Sequence, residues 1–178
     1  NENYVPEDLT DIPPDYIFEK GKEIKFHTKA FPYLQEMITA AAREGVSLNI
    51  ISGYRSFGEQ SSLKNTYTVT YGGDANKFSA DQGYSEHQLG TAIDFTTPDL
   101  GAGFSDFASS RAYDWLLSNA YKYGFILSYP KGNAYYMFES WHFRFVGKSL
   151  ASMLHQENKN FYDVDQRAID AYLINIFD

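Results

Sequence analysis

Four histidines occur in the chain, and two of them, His87 and His142, stand in dense polar motifs. Ser85-Glu86-His87-Gln88-Leu89-Gly90-Thr91-Ala92-Ile93-Asp94 places a histidine seven residues before an aspartate. Asp94 interrupts an otherwise apolar stretch, Ala92-Ile93-Asp94-Phe95, where a carboxylate is costly unless it is paired or bound to a cation. Standing alone, this motif favours a buried aspartate bonded to backbone amides or to an arginine. The second motif is Glu139-Ser140-Trp141-His142-Phe143-Arg144-Phe145. His142 alone, between aromatics, fits a satisfied core histidine, and Glu139 alone fits a solvated surface acid. Together the two motifs change the weighing. His87, Asp94 and His142 supply two nitrogens and one carboxylate and leave a fourth position open for water, the pattern of a catalytic zinc site rather than a closed structural one. Glu139, three residues before His142, can reach the open side and take a proton from that water.

A third element is Ser52-Gly53-Tyr54-Arg55-Ser56, followed by Gln60. An arginine at a strand-end turn can grip a carboxylate through two parallel bonds, or stabilise a developing oxyanion. An ordinary surface ion pair fits the same residues equally well. His27 and His155 stand in no motif, and His155 falls near an expected helix end.

These motifs need elements to carry them. Phe31, Leu34, Met37, Ile38 and Ala41 share one face of an expected helix over 29–44, with Thr28 as a cap, Pro32 in the first turn and Gly45 at the stop. Val46–Ile51 reads as a buried strand leading into the arginine turn. Ser56 and Glu59 form a capping box for a helix reaching Tyr71. Residues 72–83 read as a polar, glycine-flanked loop, and Thr91–Phe95 as a strand. A helix over 109–123 stops at Gly124, and strands follow at 125–129 and 135–138, around a Pro130-Lys131-Gly132-Asn133 turn. Trp141–Val146 is a further strand, and helices are expected near 148–157 and 164–177. Helices, then clustered strands, then helices predict an α+β fold with a small, mainly antiparallel sheet carrying the site. Residues 1–26, with Pro13-Pro14, read as an arm laid across the domain on Tyr16, Ile17 and Phe18, and 27–178 as one domain.

Composition narrows the partners. The 178 residues suffice for one core, and a net charge of −8 without a basic run argues against nucleic acid. No cysteine is present, so neither a disulfide frame nor a thiolate nucleophile or ligand enters. No apolar run reaches the ~18 residues that would span a membrane. The first residue is Asn1 and not Met, which fits a mature or trimmed form with a signal or anchor removed upstream.

The three motifs in this order, with Tyr123-Gly124-Phe125-Ile126-Leu127-Ser128-Tyr129-Pro130-Lys131-Gly132, resemble the VanY-type D-alanyl-D-alanine carboxypeptidases and their L,D-carboxypeptidase relatives. The resemblance covers about 31–154. It implies zinc on His87, Asp94 and His142, Glu139 as general base, and Arg55, Gln60 and Ser85 around the substrate's terminal residue. It implies peptidoglycan stem peptides as substrate, a place outside the cytoplasmic membrane of a bacterium, and the fold shared with lysostaphin-type peptidases and the hedgehog domain. We expect release of a C-terminal D-alanine by a monomer, with a slight lean to L,D-cleavage of a tetrapeptide stem. The rivals are an endopeptidase of the same fold and a non-catalytic module that keeps zinc structurally. The chain departs from the family pattern between Lys131 and Glu139, where it is shorter. The arm and the segment beyond Asn158 have no counterpart in that pattern.

Overall fold

The computed structural model describes residues 2–71, 80–104 and 106–177. The architecture is α+β. A four-stranded sheet runs in the order β3 (Asn49–Ser52), β4 (Ala92–Thr96), β6 (His142–Phe145), β5 (Phe125–Leu127), and every pairing in it is antiparallel. A second sheet pairs β1 (Leu9–Asp11) with β2 (Lys25–His27). The helices are α1 (Phe31–Arg43), α2 (Phe57–Tyr71), α3 (Arg111–Asn119), α4 (Lys148–Glu157) and α5 (Gln166–Leu173).

One face of the larger sheet is packed. Ile50, Ile93, Phe95, Phe125, Phe143 and Phe145 are buried and share a core cluster with Leu34, Met37, Ile38 and Ala41 of α1. Burying a phenylalanine contributes about 1.5–3 kcal/mol, so Phe143 and Phe145 hold β6 in register. A one-residue slip would turn both rings outward. Alternation then sends His142 and Arg144 to the opposite face. There they meet Asp94 and Ala92, their register partners on β4. Ser52 of β3 pairs with Asp94 from the other side. A polar row, Ser52, Asp94, His142, therefore runs across the sheet as a by-product of core packing.

Residues 1–26 contribute to the same core. Ile12, Ile17, Ile24 and Phe26 are buried in it, Ile17 bridges to Ile50, and Tyr16 is only partly buried. The helices follow the expected pattern with shifts at their ends. The Ser56–Glu59 capping box forms in both directions, Glu59 Oε2 accepting from Ser56 N at 2.7 Å and Ser56 Oγ accepting from Glu59 N at 3.2 Å. Ser110 caps α3, and a 3-10 turn carries it on to Tyr123.

Two expectations need correction. Thr28 does not cap α1: the cap position is Ala30, without a side-chain bond, because Thr28 N donates to Asp8 O at 2.9 Å and so joins the arm's pairing. Tyr135–Phe138 is not a strand. Asn133 Oδ1 accepts from the backbone N–H of both Tyr135 (2.9 Å) and Tyr136 (2.7 Å), so those amides serve a side-chain turn instead of a ladder. Of the expected 72–83 loop, 72–79 lie outside the described residues, and 80–83 carry neither helix nor strand.

Candidate metal centre

Three stretches converge on the polar face of the sheet. Glu86–Leu89 is a short 3-10 helix ended by Gly90 at φ 72°. The arm lies against it: a Cβ on Gly90 would stand 2.9 Å from Leu9 Cδ2, and Gly90 O accepts from His27 N at 2.8 Å. That clamp holds His87 under the arginine turn, where Gly53 O accepts from His87 Nδ1 at 2.7 Å. Gly53 itself cannot carry a side chain, since a Cβ there would lie 2.6 Å from Lys25 O and 2.7 Å from Ile24 Cγ2.

His87, Asp94 and His142 are all buried, and each offers a ligand atom within 4.8 Å of the others. His87 Nε2 lies 3.2 Å from Asp94 Oδ2, and His142 Nδ1 lies 3.0 Å from Asp94 Oδ1. The remaining imidazole nitrogens have acceptors, Gly53 O for His87 and Glu86 Oε2, at 2.8 Å, for His142. A carbonyl only accepts, so His87 Nδ1 carries the proton and Nε2 of the neutral ring presents a lone pair. Burial, the largest influence, pushes the His87 pKa down towards that neutral form, against the pull of Asp94. A lone pair and a carboxylate oxygen then face each other at 3.2 Å, an arrangement that a cation between them resolves. Two imidazoles and one carboxylate, each histidine anchored through its far nitrogen, is a donor set that suits zinc.

The electrostatics of the cluster favour positive charge beside Asp94. Burial opposes ionisation of Asp94, but His87 and His142 outweigh it and hold its carboxyl below the usual range. Burial also opposes protonation of His142, yet its bonds to Asp94 and Glu86 raise it to about 10. A cation held between Asp94 and His142 Nδ1 would compete with a proton there.

Glu139 sits at the edge, Oε2 3.8 Å from His142 Nδ1, with its side chain 21% exposed. Burial raises its pKa to about 7, helped by Asp94 and Glu86 and opposed by His142 and Arg55. Arg55 is half-buried. Its Nη1 donates to Gln60 Oε1 at 2.7 Å and its Nη2 to Ser52 Oγ at 3.0 Å. Neither of these partners is a carboxylate. Gln60 is buried and its amide donates to Ala80 O at 2.7 Å, so it braces the guanidinium. Ser85 is half-buried at the cap of the 3-10 helix, without a side-chain cap bond.

The VanY family model, D-alanyl-D-alanine carboxypeptidase, matches residues 23–148. The chain belongs to this family. It is 36% identical to YodJ of Bacillus subtilis (strain 168), named as a carboxypeptidase, over 88% of this chain and 59% of that protein. It thus spans less than two thirds of that relative's length. Among solved structures it resembles the LdcB LD-carboxypeptidase, with a TM-score of 0.81 and 32% identity over 98% of this chain and 80% of that one. It also resembles a mutant of the vancomycin-resistance D,D-pentapeptidase VanY in complex with Zn(II), at a TM-score of 0.69 and 27% identity, over 92% of this chain and 94% of that one.

The fold therefore brings Arg55, Gln60, His87, Asp94, Glu139 and His142 to one face. His27 and His155 lie elsewhere, stacked on Phe177 (4.8 Å) and Tyr121 (3.7 Å). Sequence reasoning missed four residues. Glu86 is buried and accepts from Arg144 Nη1 at 2.9 Å and Tyr162 Oη at 2.6 Å. Tyr129 stacks on His142 at 4.8 Å. A signal for Glu86 existed: His142 and Arg144 alternate onto one face of β6, and a half-buried arginine beside the histidine calls for a carboxylate. Nothing in the sequence pointed to Tyr162, whose contact is made across 76 residues.

Proposed function

We propose that this chain is a zinc-dependent carboxypeptidase that releases a C-terminal D-alanine from peptidoglycan stem peptides. His87, Asp94 and His142 hold the metal. The observation that carries the reading is the convergence of their three ligand atoms, with the raised Glu139 carboxylate at the edge. When bound, zinc supplies Lewis-acid chemistry, acidifying a water and polarising a peptide carbonyl.

This chain's own residues do the rest. Glu139 Oε2 takes the water's proton during attack and returns it to the leaving amine. Burial pushes the Glu139 pKa up, which makes its carboxylate a stronger base than a solvated one. Arg55, braced by Gln60 and Ser52, neither of them a carboxylate, receives the free carboxylate of the departing residue, with Ser85 beside it. A guanidinium fork matches that carboxylate's two oxygens. An endopeptidase has no terminal carboxylate to place there, so Arg55 favours the carboxypeptidase reading. Likeness to LdcB over 98% of this chain supports L,D-cleavage of a tetrapeptide stem. Such a substrate places the enzyme outside the cytoplasmic membrane. No described helix is long and apolar enough to cross one.

Digestion of defined tripeptide, tetrapeptide and pentapeptide stems, read by mass, tests the reading. The tetrapeptide should lose one alanine, and Glu139→Ala should keep zinc while turnover falls by roughly 10²- to 10⁴-fold. Cleavage inside the stem, or loss of metal in Glu139→Ala, overturns it.

A further inference from the structure

The C-terminal segment at 160–163 lies beyond the family match, which ends at residue 148, yet it reaches the metal centre. Phe161, Tyr162 and Asp163 each make a different contact there. Phe161 lies beneath the Arg144 guanidinium, 4.6 Å from ring centre to Cζ. Tyr162 Oη donates to Glu86 Oε1 at 2.6 Å. Asp163 Oδ1 accepts from Tyr135 Oη at 2.7 Å, and its Oδ2 accepts from Asn160 Nδ2 at 2.8 Å, which holds the turn in place.

We infer that Tyr162 is a positioning residue for the metal centre, acting through Glu86 on His142. The inference rests on the zinc reading above. Glu86 is buried, and its two oxygens divide the labour. Oε1 takes Tyr162 Oη and Arg144 Nη1, and Oε2 faces His142 Nε2 at 2.8 Å. Two donors converging on Oε1 from separate elements fix the plane of the carboxylate, so Oε2 stays on the imidazole. That bond places the His142 proton on Nε2 and leaves Nδ1 for the metal, beside Asp94.

Without the phenol, Arg144 is the one remaining partner of Oε1 among the described residues. A guanidinium prefers to bind both oxygens of a carboxylate. Glu86 is then free to turn towards Arg144, and His142 loses its anchor. The ring of Tyr162 makes its own contacts, stacked near Tyr129 at 6.2 Å and set edge-on to Phe161 at 5.2 Å. Tyr162→Phe retains these and removes the hydroxyl alone.

The test uses the full chain and two readouts besides turnover: zinc affinity by competition with a chromophoric chelator, and the Tm of the metal-free protein. Removing an outer partner of a metal-bound histidine typically weakens metal binding 10- to 100-fold. Glu86→Gln should fall in that range, and Tyr162→Phe, one bond further out, near about tenfold, with the metal-free Tm unchanged. In the Glu86→Gln background, Tyr162→Phe should cost less than about twofold more, since its route to the metal is already cut. Tyr172→Phe removes a phenol that packs near the α4 cluster and should leave zinc affinity alone. Unchanged zinc affinity in Tyr162→Phe, with or without a fall in Tm, marks a merely structural tyrosine and overturns the inference. So does a full additive effect in the double variant. An unmutated chain that takes up no zinc overturns the metal reading itself, and this inference with it.

Discussion

Arg55→Lys is the substitution that separates the carboxypeptidase from its rivals. The guanidinium is held by Gln60 Oε1 at 2.7 Å and Ser52 Oγ at 3.0 Å, leaving the remaining N–H groups for a substrate carboxylate. A lysine ammonium keeps the charge but cannot satisfy both braces and also grip two oxygens. The loss is at least one charge-assisted hydrogen bond in a half-buried setting, about 1.5–3 kcal/mol. In kcat/KM that is about 10- to 150-fold. Amidating the peptide terminus removes the other half of the same contact and should cost the unmutated enzyme a similar factor. Combining both should cost less than the sum, because one interaction cannot be lost twice. The assay is release of D-alanine from matched free-acid and amidated tetrapeptides. Equal cleavage of the two by the unmutated enzyme refutes the carboxylate pocket and moves the assignment to an endopeptidase.

Purified protein should hold about one zinc per chain by elemental analysis, and the paired change His87→Ala with His142→Ala should abolish it; full metal content in that variant removes the ligand assignment. Glu139 sets a pH limb. Burial raises its pKa to about 7 in the metal-free chain, and a bound dication favours the carboxylate, so the working value lies below that. A base acts when ionised, so kcat/KM rises with pH through this value and then levels. Residual activity of Glu139→Gln that kept the same limb would assign it to another group. Gly53→Ala drives a Cβ to within 2.6 Å of Lys25 O, and overpacking of this kind costs about 1–3 kcal/mol by denaturant unfolding. An unchanged midpoint there means that the backbone at 24–25 yields.

Periodicity was enough to find α1, α3 and the strands that carry His142 and Asp94, because each buries an apolar stripe or alternation of its own, while α2 was marked by its Ser56–Glu59 capping box. That His87, Asp94 and His142 come together was also legible. Asp94 and His142 stand in otherwise apolar strands, where such groups are costly unless something binds them, and that cost is written in the local sequence. Tyr135–Phe138 failed for the opposite reason. Its run of aromatic and apolar residues reads like a strand, but a single Asn133 side chain captures two of its amides, a competition that hydrophobic pattern does not register.

Other features belong to the tertiary structure alone. The register of β4 against β6 sets Asp94 opposite His142. The passage of residues 24–25 across Gly53 explains why that position is glycine, and the glycine carbonyl in turn orients His87. The roles of Glu86, Arg144 and Tyr162 depend on three segments, from either side of β4 and from beyond α4, meeting at one buried carboxylate. A sequence displays which residues are expensive to bury. Which partner makes each burial tolerable is decided by contacts between segments far apart in the chain, and those exist only once the sheet has formed and the C-terminal turn has closed over it.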